Sequence, residues 1–316
     1  MSSLKICDKK TGISVWEQSI HTADAMPEGV CMMSYEVFPG ITVIYNDIRA
    51  ERLSGRRCGG GSVFEINHCR KGRIEYELAE SEGDEFRYLA SGDLSVSCRT
   101  DFRENAYFPL RYYQGITVLI DTGQTPGCLS CFLDDVEVHP ELLMKKFDNS
   151  GRGYVARSNE SIEHIFSELY SVPEEIKKGY LKVKILELLL FLSAMKPKKT
   201  EETKMVSAAH ARLAKGVCRY LAERMDQKIT LDMLAAAFHV SVTLIKTCFR
   251  DVYGVSVYSY IRSQKMEKAA VMLRETDMQI TEIAGELGYD NSSKFAKAFK
   301  GIRGVTPGEY RKNQTL

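Results

Sequence analysis

Two copies of one pattern, about 50 residues apart, constrain the C-terminal third of this chain more than any other feature. The first reads Ile229-Thr-Leu-Asp-Met-Leu-Ala-Ala-Ala-Phe-His-Val-Ser241, then Val242-Thr-Leu-Ile-Lys-Thr-Cys-Phe249. The second reads Ile280-Thr-Glu-Ile-Ala-Gly-Glu-Leu-Gly-Tyr-Asp-Asn291, then Ser292-Ser-Lys-Phe-Ala-Lys-Ala-Phe299. In each, apolar residues recur at helical spacing on both sides of a short turn, which predicts two amphipathic helices in succession. That is the helix-turn-helix plan, whose second helix can enter a DNA major groove. Two such motifs, about 231–252 and about 281–301, imply sequence-specific binding to double-stranded DNA.

Charge is distributed to match. From Ser207 onward there are 17 Lys and Arg against 11 Asp and Glu, whereas the preceding residues carry 26 against 31. A basic C-terminal part suits phosphate contact and an acidic N-terminal part does not. The first ten residues hold no apolar core of signal-peptide length. The most apolar stretch, Leu186 to Met195, is too short to cross a bilayer. The expectation is a cytoplasmic chain with no membrane partner, its nine cysteines reduced.

A length of 316 residues suggests about two domains. Period-two alternation marks the N-terminal part from about Ile41 to Ile120. It shows in Val63-Phe-Glu-Ile66, in Ile74, Tyr76 and Leu78, in Leu94, Val96 and Cys98, and in Ile116, Val118 and Ile120. Turn signals fall at Gly59-Gly-Gly61, Gly72, Gly83, Gly92 and Gly115. Short strands at this spacing predict an antiparallel sandwich or small barrel of the jelly-roll kind over 1–157.

Helical spacing takes over at Ser158 with Ile162, Ile165, Phe166, Leu169 and Tyr170, and a second helix follows Pro173. This leucine-rich hairpin, 158–195, packs on the strands with one face and offers a dimerisation surface with another. The polar, proline-containing segment 196–206 reads as a linker, and 207–316 as the all-helical DNA-binding domain.

Within the first motif Leu231, Leu234 and Ala235 face inward, Ser241 caps the second helix, and Leu244, Ile245, Cys248 and Phe249 anchor it. Thr243, Lys246, Thr247 and Arg250 are left for DNA. In the second motif Ile283, Ala284, Leu287, Phe295, Ala298 and Phe299 face inward, leaving Ser292, Ser293, Ala296 and Lys297 outward. Lys300 and Arg303 add charge where phosphates would pass. Arg262 and Lys265, on a long helix between the motifs, are expected phosphate contacts.

These residues resemble the AraC/XylS family of bacterial transcription regulators over roughly Ala211 to Lys312. The most specific stretches are Ile280 to Lys300, then Gly304-Val-Thr-Pro-Gly-Glu-Tyr-Arg311, with Tyr260-Ile-Arg-Ser-Gln-Lys-Met266 as a second. The resemblance implies a seven-helix domain whose two recognition helices enter successive major-groove segments. The positions it assigns to reading DNA are here Thr243, Lys246 and Thr247, then Ser292, Ser293, Ala296 and Lys297.

For the N-terminal half the resemblance is one of plan. It implies a multidomain α+β chain with a cupin-like antiparallel β-barrel sensor, a homodimer, a small-molecule effector and contact with RNA polymerase, more in the manner of an activator than a repressor.

Catalysis finds no footing. Cys128-Leu-Ser-Cys131 has the spacing of half a zinc site, but no second pair lies at matching spacing. His68 is the one histidine in the strand region, too few for a cupin metal centre. The sequence holds no glycine-rich phosphate loop and no nucleophile elbow. The expectation is a non-enzyme with no cofactor and no metal. The competing reading is a ligand- or redox-binding barrel protein whose helical part mediates protein contacts.

Overall fold

Alternation between Ile41 and Ile120 does produce strands, and the two repeated patterns do produce helix pairs. A computed structural model describes residues 29–54, 63–77, 85–99, 105–125, 129, 138–147, 153–197 and 205–313. The chain divides into two units, Met1–Met205 and Val206–Leu316. Gly59 to Gly61, Leu78, Gly83, Cys128, Cys131 and most of the predicted linker lie outside the described residues.

In the first unit β1 (Val30–Phe38), β2 (Ile41–Ile48), β8 (Tyr113–Asp121) and the long β4 (Val63–Glu77) lie side by side, antiparallel. The first half of β4 pairs with β6 (Leu94–Arg99), which pairs with β9 (Tyr154–Ala156); its second half pairs with β5 (Glu85–Ala90). Short strands β3 (Arg52–Ser54) and β7 (Asn105–Tyr107) pair with each other. Register aligns one apolar row across five strands, Val43, Val118, Ile66, Val96 and Tyr154.

Among the described residues no pairing joins β1 to β9, so the sheet is open where a closed cupin-like barrel was expected. Helices supply the cover that closure would have given. Helix α1 (Pro140–Phe147), α2 (Glu160–Leu169) and α3 (Lys177–Ala194) lay Leu143, Ile162, Phe166, Ile185 and Leu188 into one cluster with that apolar row. Asn159 caps α2 by accepting from the Ile162 amide at 3.0 Å.

Two details depart from the strand pattern. Gly72 and Gly115 were expected in turns but lie inside β4 and β8. There the backbones crowd: a Cβ on Gly72 would sit 2.0 Å from the Tyr112 carbonyl oxygen, and one on Gly115 would sit 2.5 Å from that of His68. The polar alternates are also buried rather than solvated, among them Asn46, Glu65, Asn67, Glu75 and Ser95. They are satisfied side by side. Asn46 Nδ2 donates to Thr117 Oγ1 at 2.9 Å, Thr117 Oγ1 donates to Asn67 Oδ1, and Asn67 Nδ2 donates to Glu65.

Described residues of the second unit form α4 (Ala208–Ala222), α5 (Leu231–Phe238), α6 (Val242–Tyr253), α7 (Val257–Glu275), α8 (Ile280–Glu286), α9 (Ser292–Arg303) and α10 (Pro307–Lys312). None of these helices, nor any other described one, is alone long and apolar enough to cross a membrane.

Candidate nucleic-acid interface

The chain bends by 96° between α5 and α6, inside the range of a helix-turn-helix pair. Two residues make the bend. His239 takes a left-handed conformation at φ 53° and ends α5, and Ser241 starts α6 by accepting from the Leu244 amide at 3.2 Å. Ile245, Cys248, Phe249 and Val252 are buried beneath α6. Thr243, Lys246, Thr247 and Arg250 are exposed on its far side.

The second pair makes the same turn with five residues between its helices, 287–291, where the first has three, 239–241. Gly288, at φ 69°, takes the left-handed role, and Asn291 caps α9 by accepting from the Ser293 amide at 2.7 Å. Phe295, Ala298 and Phe299 are buried. Ser293, Lys297 and Lys300 are exposed, while Ser292 and Ala296 are half-buried beside them.

The duplication runs further than the motifs themselves. Gly254 and Gly304, at φ 74° and 80°, end α6 and α9. Ser256 and Thr306 then cap the next helices. Tyr260 meets Phe249 edge-on at 5.4 Å and 73°, and Tyr310 meets Phe299 at 5.4 Å and 76°. Every one of these pairs is offset by the same 50 residues as Ser241 and Asn291. Positions 243 and 293, 246 and 296, 247 and 297, and 250 and 300 therefore leave their helices in matching directions.

What joins the halves is a small polar junction on α7. Lys265 is only 8% exposed, with its ammonium 5.7 Å from the Tyr289 ring centre. Burial pulls its pKa below the ordinary lysine value, and the nearby Asp226 pulls back. A Cβ on Gly288 would meet the Asp226 carbonyl oxygen at 2.3 Å and the Lys265 ammonium at 3.3 Å. Lys265 was expected on a phosphate; it is instead buried where the second motif meets the loop after α4.

Arg303 also departs from expectation. Its guanidinium donates to Glu267 on α7 at 2.5 Å, which braces α9 rather than freeing a charge. Helix spacing alone could not show either, because both depend on how α7 crosses its neighbours. Arg262 lies on α7 with a guanidinium nitrogen 3.2 Å from where a Gly301 side chain would begin, so it reaches the flank of α9.

The sequence reading also missed Arg311. Its guanidinium donates to the carbonyls of Leu273 at 3.3 Å and Met278 at 2.7 Å, tying α10 to the segment where α7 gives way to α8. Its place in Gly304 to Arg311 was the available signal.

A family model described as a helix-turn-helix domain matches residues 234–313. Among curated proteins the chain is similar to the TetD protein of transposon Tn10 from Escherichia coli, 36% identical over 105 residues, which are 33% of this chain and 76% of TetD. It is 33% identical over 96 residues to the F1 operon positive regulatory protein of Yersinia pestis, covering 30% of this chain and 32% of that one. It is 30% identical over 107 residues to the uncharacterized HTH-type transcriptional regulator YtdP of Bacillus subtilis strain 168. That last match spans 34% of this chain and only 14% of YtdP.

Proposed function

The chain belongs to the AraC/XylS family of transcription regulators, and from that premise we propose that it binds two successive major-groove segments of one DNA duplex through α6 and α9. The observation that carries this reading is the 50-residue duplication. It presents two capped helices, each with a hydroxyl-bearing and basic outer face. On this reading Thr243, Lys246, Thr247, Ser292, Ser293, Ala296 and Lys297 face base edges. Arg250, Arg262 and Lys300 hold phosphates, a division of labour general to DNA readers.

The first unit acts as the sensor. A small molecule bound there shifts the availability of the second unit, which requires that it bind the two states unequally. The chain works as a homodimer in the cytoplasm, through the 158–195 hairpin. Ile165, Val183, Leu186, Leu190 and Phe191 line a mostly apolar groove of about 620 Å³ between α2 and α3, and Val183 is 63% exposed. A second copy of the hairpin would bury it. Activation, through contact with RNA polymerase, is the favoured sign, by analogy with the positive regulatory protein of Yersinia pestis.

Selection of the full-length protein against random duplex DNA at near-physiological salt tests the reading, because non-specific phosphate binding is suppressed there. Enrichment of a bipartite site with halves about one helical turn apart is the expected result. Binding that does not discriminate among sequences would end it.

A further inference from the structure

Equivalent positions of the two recognition helices carry different chemistry. Position 243 is threonine and 293 serine, and both 250 and 300 are basic, so these pairs are alike. Position 246 is lysine where 296 is alanine, and position 247 is threonine where 297 is lysine. The backbone frame is the same in both: cap at 241 and 291, buried anchors at 245, 248 and 249 and at 295, 298 and 299, left-handed glycine at 254 and 304. Side chains at 246 and 296 therefore leave their helices toward the same step of their respective half-sites.

Resting on the DNA-reading role above, we propose that Lys246 reads a guanine in the first half-site, whereas Ala296 meets a thymine methyl at the matching step of the second, where Lys297 carries the guanine contact instead. Lysine has three N–H donors and no acceptor, and guanine alone offers two adjacent acceptors, O6 and N7, in the major groove. Adenine and cytosine place an amino donor against it. Alanine has no hydrogen-bonding group, so the C5-methyl of thymine is the one base-edge feature it contacts favourably. Moving the ammonium from 246 to 297 shifts it by one residue, about 100° around the helix. The two half-sites are thus not copies of each other, and a duplex has one preferred orientation under the protein.

The test uses full-length protein and three samples: wild type, Lys246→Ala and Ala296→Lys. Position 246 is exposed and 296 half-buried at the surface, and equal melting temperatures confirm that all three are folded. Each is taken through selection on random duplexes, and the readout is base preference at single positions, not overall affinity. Wild type is expected to enrich a guanine and a thymine at matching steps of unlike halves, the guanine preferred about ten- to a hundredfold and the thymine, held by a methyl contact alone, less strongly. Lys246→Ala should turn that guanine into thymine with the second half unchanged, and Ala296→Lys should do the reverse.

Two enriched halves of identical sequence would overturn the proposal. So would variants that change binding to every sequence equally, since that marks a phosphate contact. Should neither the wild type nor residues 207–316 alone, which are free of any effector control by the first unit, enrich a site, the DNA-reading role itself falls, a result distinct from either.

Discussion

At the scale of single residues, the two turns give opposite predictions from one backbone conformation. His239 holds a left-handed φ that costs a side-chain-bearing residue about 1–2 kcal/mol. Glycine there loses part of that gain to its own chain entropy, so His239→Gly should stabilise the helical unit by no more than about 1 kcal/mol. Gly288→Ala meets the same penalty and also a backbone carbonyl that cannot swing aside. It should cost at least about 2 kcal/mol. Urea midpoints of the two variants settle it, and equal shifts would remove the argument from Asp226.

His68 supplies a pH test in the other unit. Its ring stacks on Phe166 at 4.1 Å, and Nδ1 lies 3.1 Å from the Tyr170 hydroxyl. Burial first, then Arg70, holds its pKa down at about 4. The unfolded chain takes up a proton near pH 6.5 that the folded one refuses, so stability is full above that value and falls toward pH 4. The loss attributable to this ring is up to about 3 kcal/mol. His68→Phe should flatten that slope relative to wild type; an unchanged slope assigns it to other groups. None of this was legible beforehand, because the partners Phe166 and Tyr170 are about 100 residues away in sequence.

At the scale of elements, what sequence periodicity revealed was what periodicity controls. The outward faces of α6 and α9 followed from their spacing, because caps and turns fix the start of each helix locally. Lys265 was misjudged because helical phase says which side a residue takes, not what covers that side. The eight-residue α1 was missed although Pro140, Glu141 and the Lys145-Lys146 pair mark its two ends, since Leu143 and Phe147 give only one helical repeat in so short a segment.

The matched frame of α6 and α9 predicts that Arg250→Ala and Lys300→Ala behave alike. Each should lower the slope of log affinity against log salt by about one. A difference between them would show that the helices dock unequally. Helix α3 carries its own prediction: Val183→Asp, at an exposed position, should leave the fold intact and convert dimer to monomer in sedimentation. A persistent dimer would move the interface elsewhere.

At the scale of the whole molecule, the division after Met205 predicts that residues 207–316 fold alone. That fragment should unfold cooperatively in urea and still select the bipartite site, more weakly if dimerisation supplies about 10²–10⁴ of avidity. A fragment without cooperative unfolding would show that the second unit depends on the first.

The buried ammonium of Lys265 reaches furthest at this scale. Changing the angle between the two motifs would pull it from Asp226 and Tyr289, so on the proposed docking the protein would measure a distance along DNA as well as letters in it. One inserted base pair turns the far half-site by about 35°. On that docking a target site should lose occupancy by degrees as its bases are substituted, and should lose more from a single insertion between the halves than from a single substitution. Control regions answering to this protein should differ in their bases and agree in their spacing.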